Sequence, residues 1–324
     1  MTDHRPPGSG DGDGSDVVRE GDEAREAVAG AGRRTTSRRE LAANPRFEDV
    51  SPEVGVLDPD AFDDLLDEDP DAALSLLAEM AGATDSGLRE LARRLAGRIL
   101  VDVARVGSAR RRGVGRIIPT RGGGTDGDID LDASLDAIVA GRAAGHAIHA
   151  EDLILRTWQR PETALCLLID RSGSMQGERL AAAAVAAAAV SYRNPVDCSV
   201  VAFSDEAIVL RSQGEHRADD ELVGDILRLR GHGTTDVGLA LRVAREQLSR
   251  SRAGRKVVLL LSDCRSTAGG DPIPAAAALE EVAIVAPADD MADADALAES
   301  VGARCVPLAG PADVPAALAA ALLG

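Results

Sequence analysis

Two runs of branched apolar residues, each ending in a carboxylate, constrain this chain most. Ala164-Leu165-Cys166-Leu167-Leu168-Ile169 runs into Asp170, and Val257-Val258-Leu259-Leu260-Leu261 runs into Ser262-Asp263. Short runs without polar alternation are strands buried on both faces, as in parallel sheets covered by helices. Around them the pattern alternates. It predicts a short strand at Leu153-Ile154-Leu155 leading into Trp158, a helix over 178–192, a strand over 198–203 and a hairpin partner over 207–210. Helices follow over 219–229 and 236–248, then a helix over 273–279 and a strand over 282–285. A helix over 293–301, a strand over 304–308 and a helix over 312–323 complete the series. Strand and helix in turn give an α/β class with a doubly wound, mostly parallel sheet. Only five side chains are aromatic (Phe47, Phe62, Trp158, Tyr192 and Phe203) while 45% of residues are hydrophobic, so Ala, Val, Leu and Ile must fill the core.

The first half reads differently. Residues 1–50 are rich in Gly, Asp, Glu and Arg and are expected to form a disordered acidic tail. Residues 51–150 read as a small helical region and a linker. Asp58-Pro59 has the form of a helix start, with Pro just inside the first turn. Ala72 to Met80 is a second helical run, and Ser86 to Val106 a third. In the third, Leu88, Leu91, Leu95, Ile99 and Val103 recur at spacings of three and four and are expected to face a core. Arg110-Arg111-Arg112, Gly122-Gly123-Gly124 and the acidic stretch from Asp126 to Asp132 then suggest a charge-segregated linker. The acidic stretch lacks the twelve-residue loop with a terminal Glu that a calcium hand requires. His146 and His149 stand three apart with no third ligand in view, and read as ordinary surface or packing residues. The third region, 151–324, is the α/β domain.

A formal net charge of −18 argues against a general nucleic-acid partner, which needs basic surface to displace counterions, and against an anionic membrane. No apolar run approaches the ~18 residues of a span, and the start of the chain has no signal-like apolar core, so a cytoplasmic location is expected. Cys166, Cys198, Cys264 and Cys305 form no C-x-x-C pair, and three of them lie in apolar runs as small hydrophobes. Lys256, the only lysine, is not preceded by a phosphate-binding glycine loop, so this chain carries no P-loop for ATP. There is no nucleophile elbow and no H-E-x-x-H.

In a sheet of this kind ligands sit beyond the carboxyl ends of the strands. Three segments fall there: Asp170-Arg171-Ser172-Gly173-Ser174-Met175, Gly231-His232-Gly233-Thr234-Thr235-Asp236, and Ser262-Asp263. All supply oxygen, the ligand of hard cations such as Mg²⁺. Ser172 and Ser174 flank a glycine that lets the loop turn both hydroxyls to one point. Asp170 and Asp263 bring negative charge. Neutral hydroxyls leave an ion under-neutralised, and a carboxylate from another molecule would complete its shell.

Asp-x-Ser-x-Ser after a buried strand, a Gly-Thr-Thr-Asp loop and a later strand-end Asp together resemble the metal-ion-dependent adhesion site of von Willebrand factor A (VWA) domains. The resemblance covers roughly Glu162 to Gly324. It implies Ser172, Ser174 and Thr235 as direct ligands of Mg²⁺ or Mn²⁺, and Asp170 and Asp263 acting largely through water. Thr235 is preferred over Thr234 for its spacing to Ala240-Leu241. One departure is that the family usually has Gly after the last Asp, where this chain has Cys264. A soft-ligand or reactive-thiol role for Cys264, and a ligand-contact role for His232, stand beside their readings as an incidental small residue and a surface histidine.

Leu155-Arg156-Thr157-Trp158-Gln159-Arg160-Pro161 resembles the lead-in of bacterial CoxE-like proteins. Leu261 to Thr267, followed by Gly269-Gly270-Asp271-Pro272, is similar to the D subunit of magnesium chelatase. Both groups work with hexameric AAA+ ATPases, the CoxE-like ones with the MoxR type. The resemblance implies a non-enzymatic adaptor whose metal grips an acidic residue of a protein partner, with a MoxR-type ATPase supplying the work. The alternatives are a non-catalytic subunit of a magnesium or cobalt chelatase, though this chain lacks the ATPase-like half such subunits carry, and a metal-dependent hydrolase with His232 as base.

Overall fold

The computed structural model describes residues 17–32, 35–106, 116–121, 128–143, 153–159, 163–171, 177–194, 196–229, 231 and 233–323. The chain divides into two units. The larger comprises residues 1–108, 164–252 and 256–324, and the smaller residues 109–163 and 253–255.

The larger unit begins with β1 (Val17–Arg19), α1 (Asp22–Ala31), α2 (Arg38–Leu41), α3 (Phe47–Val50), α4 (Pro59–Glu68), α5 (Pro70–Met80) and α6 (Ser86–Val106). The smaller unit holds β2 (Arg116–Arg121), β3 (Asp128–Ile129), α7 (Leu131–Ala143) and β4 (Ile154–Gln159). The chain then continues with β5 (Thr163–Asp170), α8 (Gly177–Arg193), β6 (Cys198–Phe203), β7 (Glu206–Arg211), α9 (Asp219–Ile226), α10 (Val237–Ser249) and β8 (Arg255–Leu261). It ends with α11 (Ile273–Ala277), β9 (Glu281–Pro287), α12 (Ala292–Val301), β10 (Arg304–Leu308), a 3-10 turn (Pro311–Asp313) and α13 (Val314–Ala321).

The main sheet has the order β1-β7-β6-β5-β8-β9-β10. Pairings are parallel at β1/β7, β5/β6, β8/β9 and β9/β10, and antiparallel at the expected β6/β7 hairpin. From β5 the chain builds outward through β6 and β7, then crosses back to β8 on the other side of β5. The order therefore reverses between β5 and β8, which is where doubly wound sheets open a ligand crevice. Helix α8 leads away from that point. Its sequence is mostly alanine, and Leu180 to Val190 are all at most 4% exposed, so it is buried around its whole circumference. One side meets the sheet and another meets α5 and α6.

The helical region is thus not separate from the α/β core. Asp58 caps α4 through the amides of Asp60 and Ala61, and Asp69 caps α5 through Ala72. Helix α6 forms as expected, but its buried stripe is Leu88, Ala92, Ala96, Leu100 and Ala104, with Ile99 beside it. Leu91, Leu95 and Val103 are only partly buried. The alanines won because α6 lies against the Ala-rich α8, and small residues on both helices allow close approach.

Two further expectations change. From Val17 onward the supposed tail is folded: β1 extends the sheet along the edge of β7, and Ala24, Val28, Leu41, Phe47 and Val50 are buried. These few apolar residues suffice because the edge of β7 supplies paired backbone for β1. Residues 1–16 lie outside the described residues. The supposed linker contains a three-stranded antiparallel sheet, β2-β4-β3, and β4 belongs to it rather than to the main sheet. Within the acidic stretch, Asp130 is a helix cap, accepting from the amide of Ala133 at 3.1 Å. Arg110 to Arg112, Gly122 to Gly124, His146 and His149 lie outside the described residues. Among the described residues no helix is long and apolar enough to cross a membrane.

Glu20 fastens the N-terminal segment. It accepts from Arg250 Nη2 at 2.9 Å and from the Ser212 hydroxyl at 2.6 Å, with Gln247 Nε2 at 3.3 Å. The Arg250 bond is the main reason its carboxyl falls to about 2 from 4.5. A depressed carboxyl stabilises the fold above its unfolded value and loses that contribution as pH falls through the folded one. Wild type should therefore melt above Glu20→Gln at pH 5, and the gap should close as pH falls from 4.5 toward 2. Parallel melting curves across that range would refute the assignment.

Candidate metal centre

The strand-end oxygens converge at the β5/β8 reversal. Asp170 closes β5, and the hydroxyl of Ser262, just past β8, donates to Asp170 Oδ2 at 2.6 Å. The Ser262 amide continues the ladder to Val285 on β9 at 3.2 Å. Asp263 follows immediately. The Arg265 amide donates to its Oδ1 at 3.0 Å, and Arg179 Nη1 on α8 lies 3.8 Å from Oδ2. A cleft of about 50 Å³ is lined by Asp170, Ser262, Asp263 and Arg179, with Pro287 and Leu308 on its apolar side.

Thr235 is 3% exposed and tied to the loop beyond Asp263. Its amide donates to the Thr267 hydroxyl at 2.9 Å, and its carbonyl accepts from the Thr267 and Ala268 amides and the Ser266 hydroxyl. Both backbone groups are thereby spent, while no hydrogen bond engages its own hydroxyl among the described residues. Asp236 begins α10. Its amide donates to Ser204 and its carboxylate caps the Leu239 amide at 2.8 Å. Gly269 presses on that carboxylate: it has φ +73°, and a Cβ there would lie 2.3 Å from the Asp236 carboxyl.

Cys264 has φ +61°, the only positive φ at a non-glycine among the described residues. The backbone therefore keeps the left-handed turn that glycine would adopt freely, at a cost of about 1–2 kcal/mol. The Cys264 amide donates to the Ser262 hydroxyl at 2.9 Å, the same hydroxyl that holds Asp170. Burial pushes the Cys264 thiol well above its ordinary range, which disfavours the thiolate that a reactive sulfur needs.

Arg171, inside the Asp-x-Ser-x-Ser stretch, is 1% exposed. Its Nη2 donates to Glu206 Oε1 at 2.6 Å, and Arg19 on β1 holds Glu206 Oε2 at 2.8 Å. Burial lowers the Arg171 pKa and Glu206 works against that. Burial raises Glu206, and Arg19 and Arg171 together outweigh it and leave its carboxyl below the ordinary value. Ser262 stood in the third strand-end segment without a role of its own, and nothing in the sequence signalled the pairing of Arg171 with Glu206.

The donor set suits a hard cation. Asp170, Thr235 and Asp263 all offer oxygen, the donor that hard cations take. Ser172 and Ser174, the other two expected ligands, lie outside the described residues, as does His232.

A family model described as VWA domain containing CoxE-like protein matches residues 91–293, more than half of the chain. The chain belongs to this family. The match gives a protein-interaction or adaptor module of VWA type, and it begins within α6, so the CoxE-like unit reaches back before the α/β domain. No curated protein matches the sequence. Among solved structures, a von Willebrand factor type A protein from Catenulispora acidiphila is 19% identical over 50% of this chain and 42% of that one, with TM-score 0.40. BatB from Bacteroides thetaiotaomicron is 14% identical over 50% of this chain and 97% of that one, with TM-score 0.42. Proximal thread matrix protein 1 from the mussel byssus, in a form with a zinc occupied MIDAS motif, is 17% identical over 50% of this chain and 47% of that one, with TM-score 0.40. The chain thus spans less than half of the Catenulispora and mussel proteins.

Proposed function

We propose that this CoxE-like protein is a divalent-metal-dependent docking module, in which Asp170, Ser172, Ser174, Thr235 and Asp263 hold Mg²⁺ or Mn²⁺ and present it to a carboxylate of a protein partner. The observation that carries the reading is the Ser262 hydroxyl on Asp170 at 2.6 Å, with Asp170 and Asp263 lining one cleft at the strand-order reversal. When bound, the ion would supply the concentrated positive charge that an incoming carboxylate needs at an acidic edge. The residues of the chain do the rest. Asp170 is oriented by Ser262, Asp263 by the Arg265 amide, and Thr235 by its two spent backbone groups, so ordering these three residues costs little at the moment of binding.

The role is an adaptor without catalysis of its own. With no P-loop in the chain, work on a client would come from a separate ATPase, for which the MoxR type is our candidate. Titration calorimetry tests the metal site. Wild type should bind Mg²⁺ or Mn²⁺ saturably, and at a hundred times Kd the melting transition should gain about 2.7 kcal/mol. Asp170→Ala, and Ser172→Ala with Ser174→Ala, should lose both effects while keeping the metal-free melting profile. Equal binding by wild type and variants would sink the assignment. A partner captured from cell extract should be released by EDTA and not by matched ionic strength.

A further inference from the structure

Two glycines beside the expected ligand loops have positive φ and a carboxylate against them. Gly177 begins α8 three residues after Ser174, with φ +49°, and a Cβ there would lie 2.8 Å from Glu79 Oε1. Gly233 stands two residues before Thr235, with φ +79°, and a Cβ there would lie 2.9 Å from Asp205 Oδ1. The missing side chain is what lets each acid come so close. The two acids differ in their surroundings. Asp205 is exposed, its Oδ1 accepts from the Ser204 hydroxyl at 2.9 Å, and the charge of Arg171 acts on it. Glu79 belongs to α5 in the helical region and is half-buried. Among the described residues no hydrogen bond or ion pair engages its carboxylate, and burial is the one cause that raises its pKa above the ordinary value. A half-buried carboxylate without a counter-charge costs stability, which an arriving cation offsets. Three residues of chain span at most about 11 Å, so the contact with Gly177 keeps Glu79 within electrostatic reach of an ion held at Ser174. Three of the five expected ligands, Ser172, Ser174 and Thr235, are neutral hydroxyls, so a divalent ion among them draws on negative charge from further out.

We propose that Glu79 is an outer carboxylate of the metal centre, supplied by the helical region, which does not ligate the ion but retains it by its charge across the start of α8. The inference rests on the metal reading above and extends the centre beyond the α/β domain. It gives the helical region a part in metal binding that its packing against α8 alone does not require.

Titration calorimetry with Mg²⁺ on the full chain, with melting curves in EDTA beside it, tests this. Glu79→Gln keeps the shape and removes the charge. Its Mg²⁺ Kd should rise about fivefold, the scale of one charge acting on a divalent ion over roughly 10 Å at a dielectric between protein and water. In EDTA the same variant should melt no lower than wild type, because the charge it loses is one that burial penalises. A side chain that only braces Gly177 would give the opposite pair, a lower melt and an unchanged Kd. Glu79→Asp keeps the charge and should hold most of the affinity. Asp63→Asn, exposed on α4, removes the same unit of net charge elsewhere and should leave Kd within about twofold, since solvent screens it. An unchanged Kd in Glu79→Gln, a lower melt of that variant in EDTA, or an equal loss in Asp63→Asn overturns the role of Glu79 and leaves the metal reading standing. No saturable Mg²⁺ heat in wild type overturns the metal reading, and the role of Glu79 with it.

Discussion

Glu206→Leu should cost about 3–5 kcal/mol of folding stability. The Arg171 guanidinium it faces is 1% exposed, and Glu206 Oε1 meets it at 2.6 Å. Removing the carboxylate takes the nearest counter-charge from a buried cation, which Asp205 then offsets only in part. Glu206→Gln keeps the shape and a hydrogen-bond acceptor, so its cost should fall between wild type and Glu206→Leu. Arg19→Ala, on the outer side of the same carboxylate, should cost under about 1 kcal/mol because that arginine is 42% exposed. Urea unfolding of the three variants gives the order directly. Because Arg171 stands one residue from Asp170, the milder Glu206→Gln should also weaken Mg²⁺ binding in proportion to the disorder it brings to that loop. A Glu206→Leu protein within about 1 kcal/mol of wild type would show that Arg171 finds adequate partners elsewhere.

Gly269→Val should cost about 2–5 kcal/mol. The backbone there has φ +73°, which a β-branched residue adopts only under strain, and the new Cβ would stand 2.3 Å from the Asp236 carboxyl. That carboxyl cannot retreat cheaply, since it caps the Leu239 amide at the start of α10. Neighbouring Gly270 is the control. It has open space around it, so Gly270→Ala should be nearly neutral. Thermal melts separate the two, and equal melting temperatures would show that the 263–271 loop yields where the geometry says it is held.

Much of the architecture was legible because its signals are local. The apolar runs at 164–169 and 257–261 became β5 and β8, and the strands and helices from β5 to α13 follow the predicted order. The expected hairpin is the one antiparallel pair among the described pairings of the main sheet. The illegible parts all depend on what a segment meets. Val17 and Val18 look like tail until the edge of β7 pairs them. The 116–159 region looks like a linker until β2 and β3 pair with β4 across it. On α6 the leucines carry the stronger periodic signal, yet Ala92, Ala96 and Ala104 are buried because α8 opposite is mostly alanine.

The candidate site divides in the same way. The types of its groups were legible in the sequence, as hydroxyls and carboxylates near the ends of buried strands, while the glycine expected after Asp263 came from the family resemblance. The structure kept a glycine-type backbone at Cys264 although the residue is not glycine. Local spacing specifies such features because a buried strand that ends must hand its last side chains to solvent. Which oxygen orients which was decided only by the tertiary structure. Ser262 reaches Asp170 across 92 positions of sequence, and Arg171 reaches Glu206 across 35. Those pairs exist because the strand order reverses between β5 and β8 and brings β6 and β7 to the other side. The order in which strands pair is a property of the whole packed chain, and no local periodicity records it.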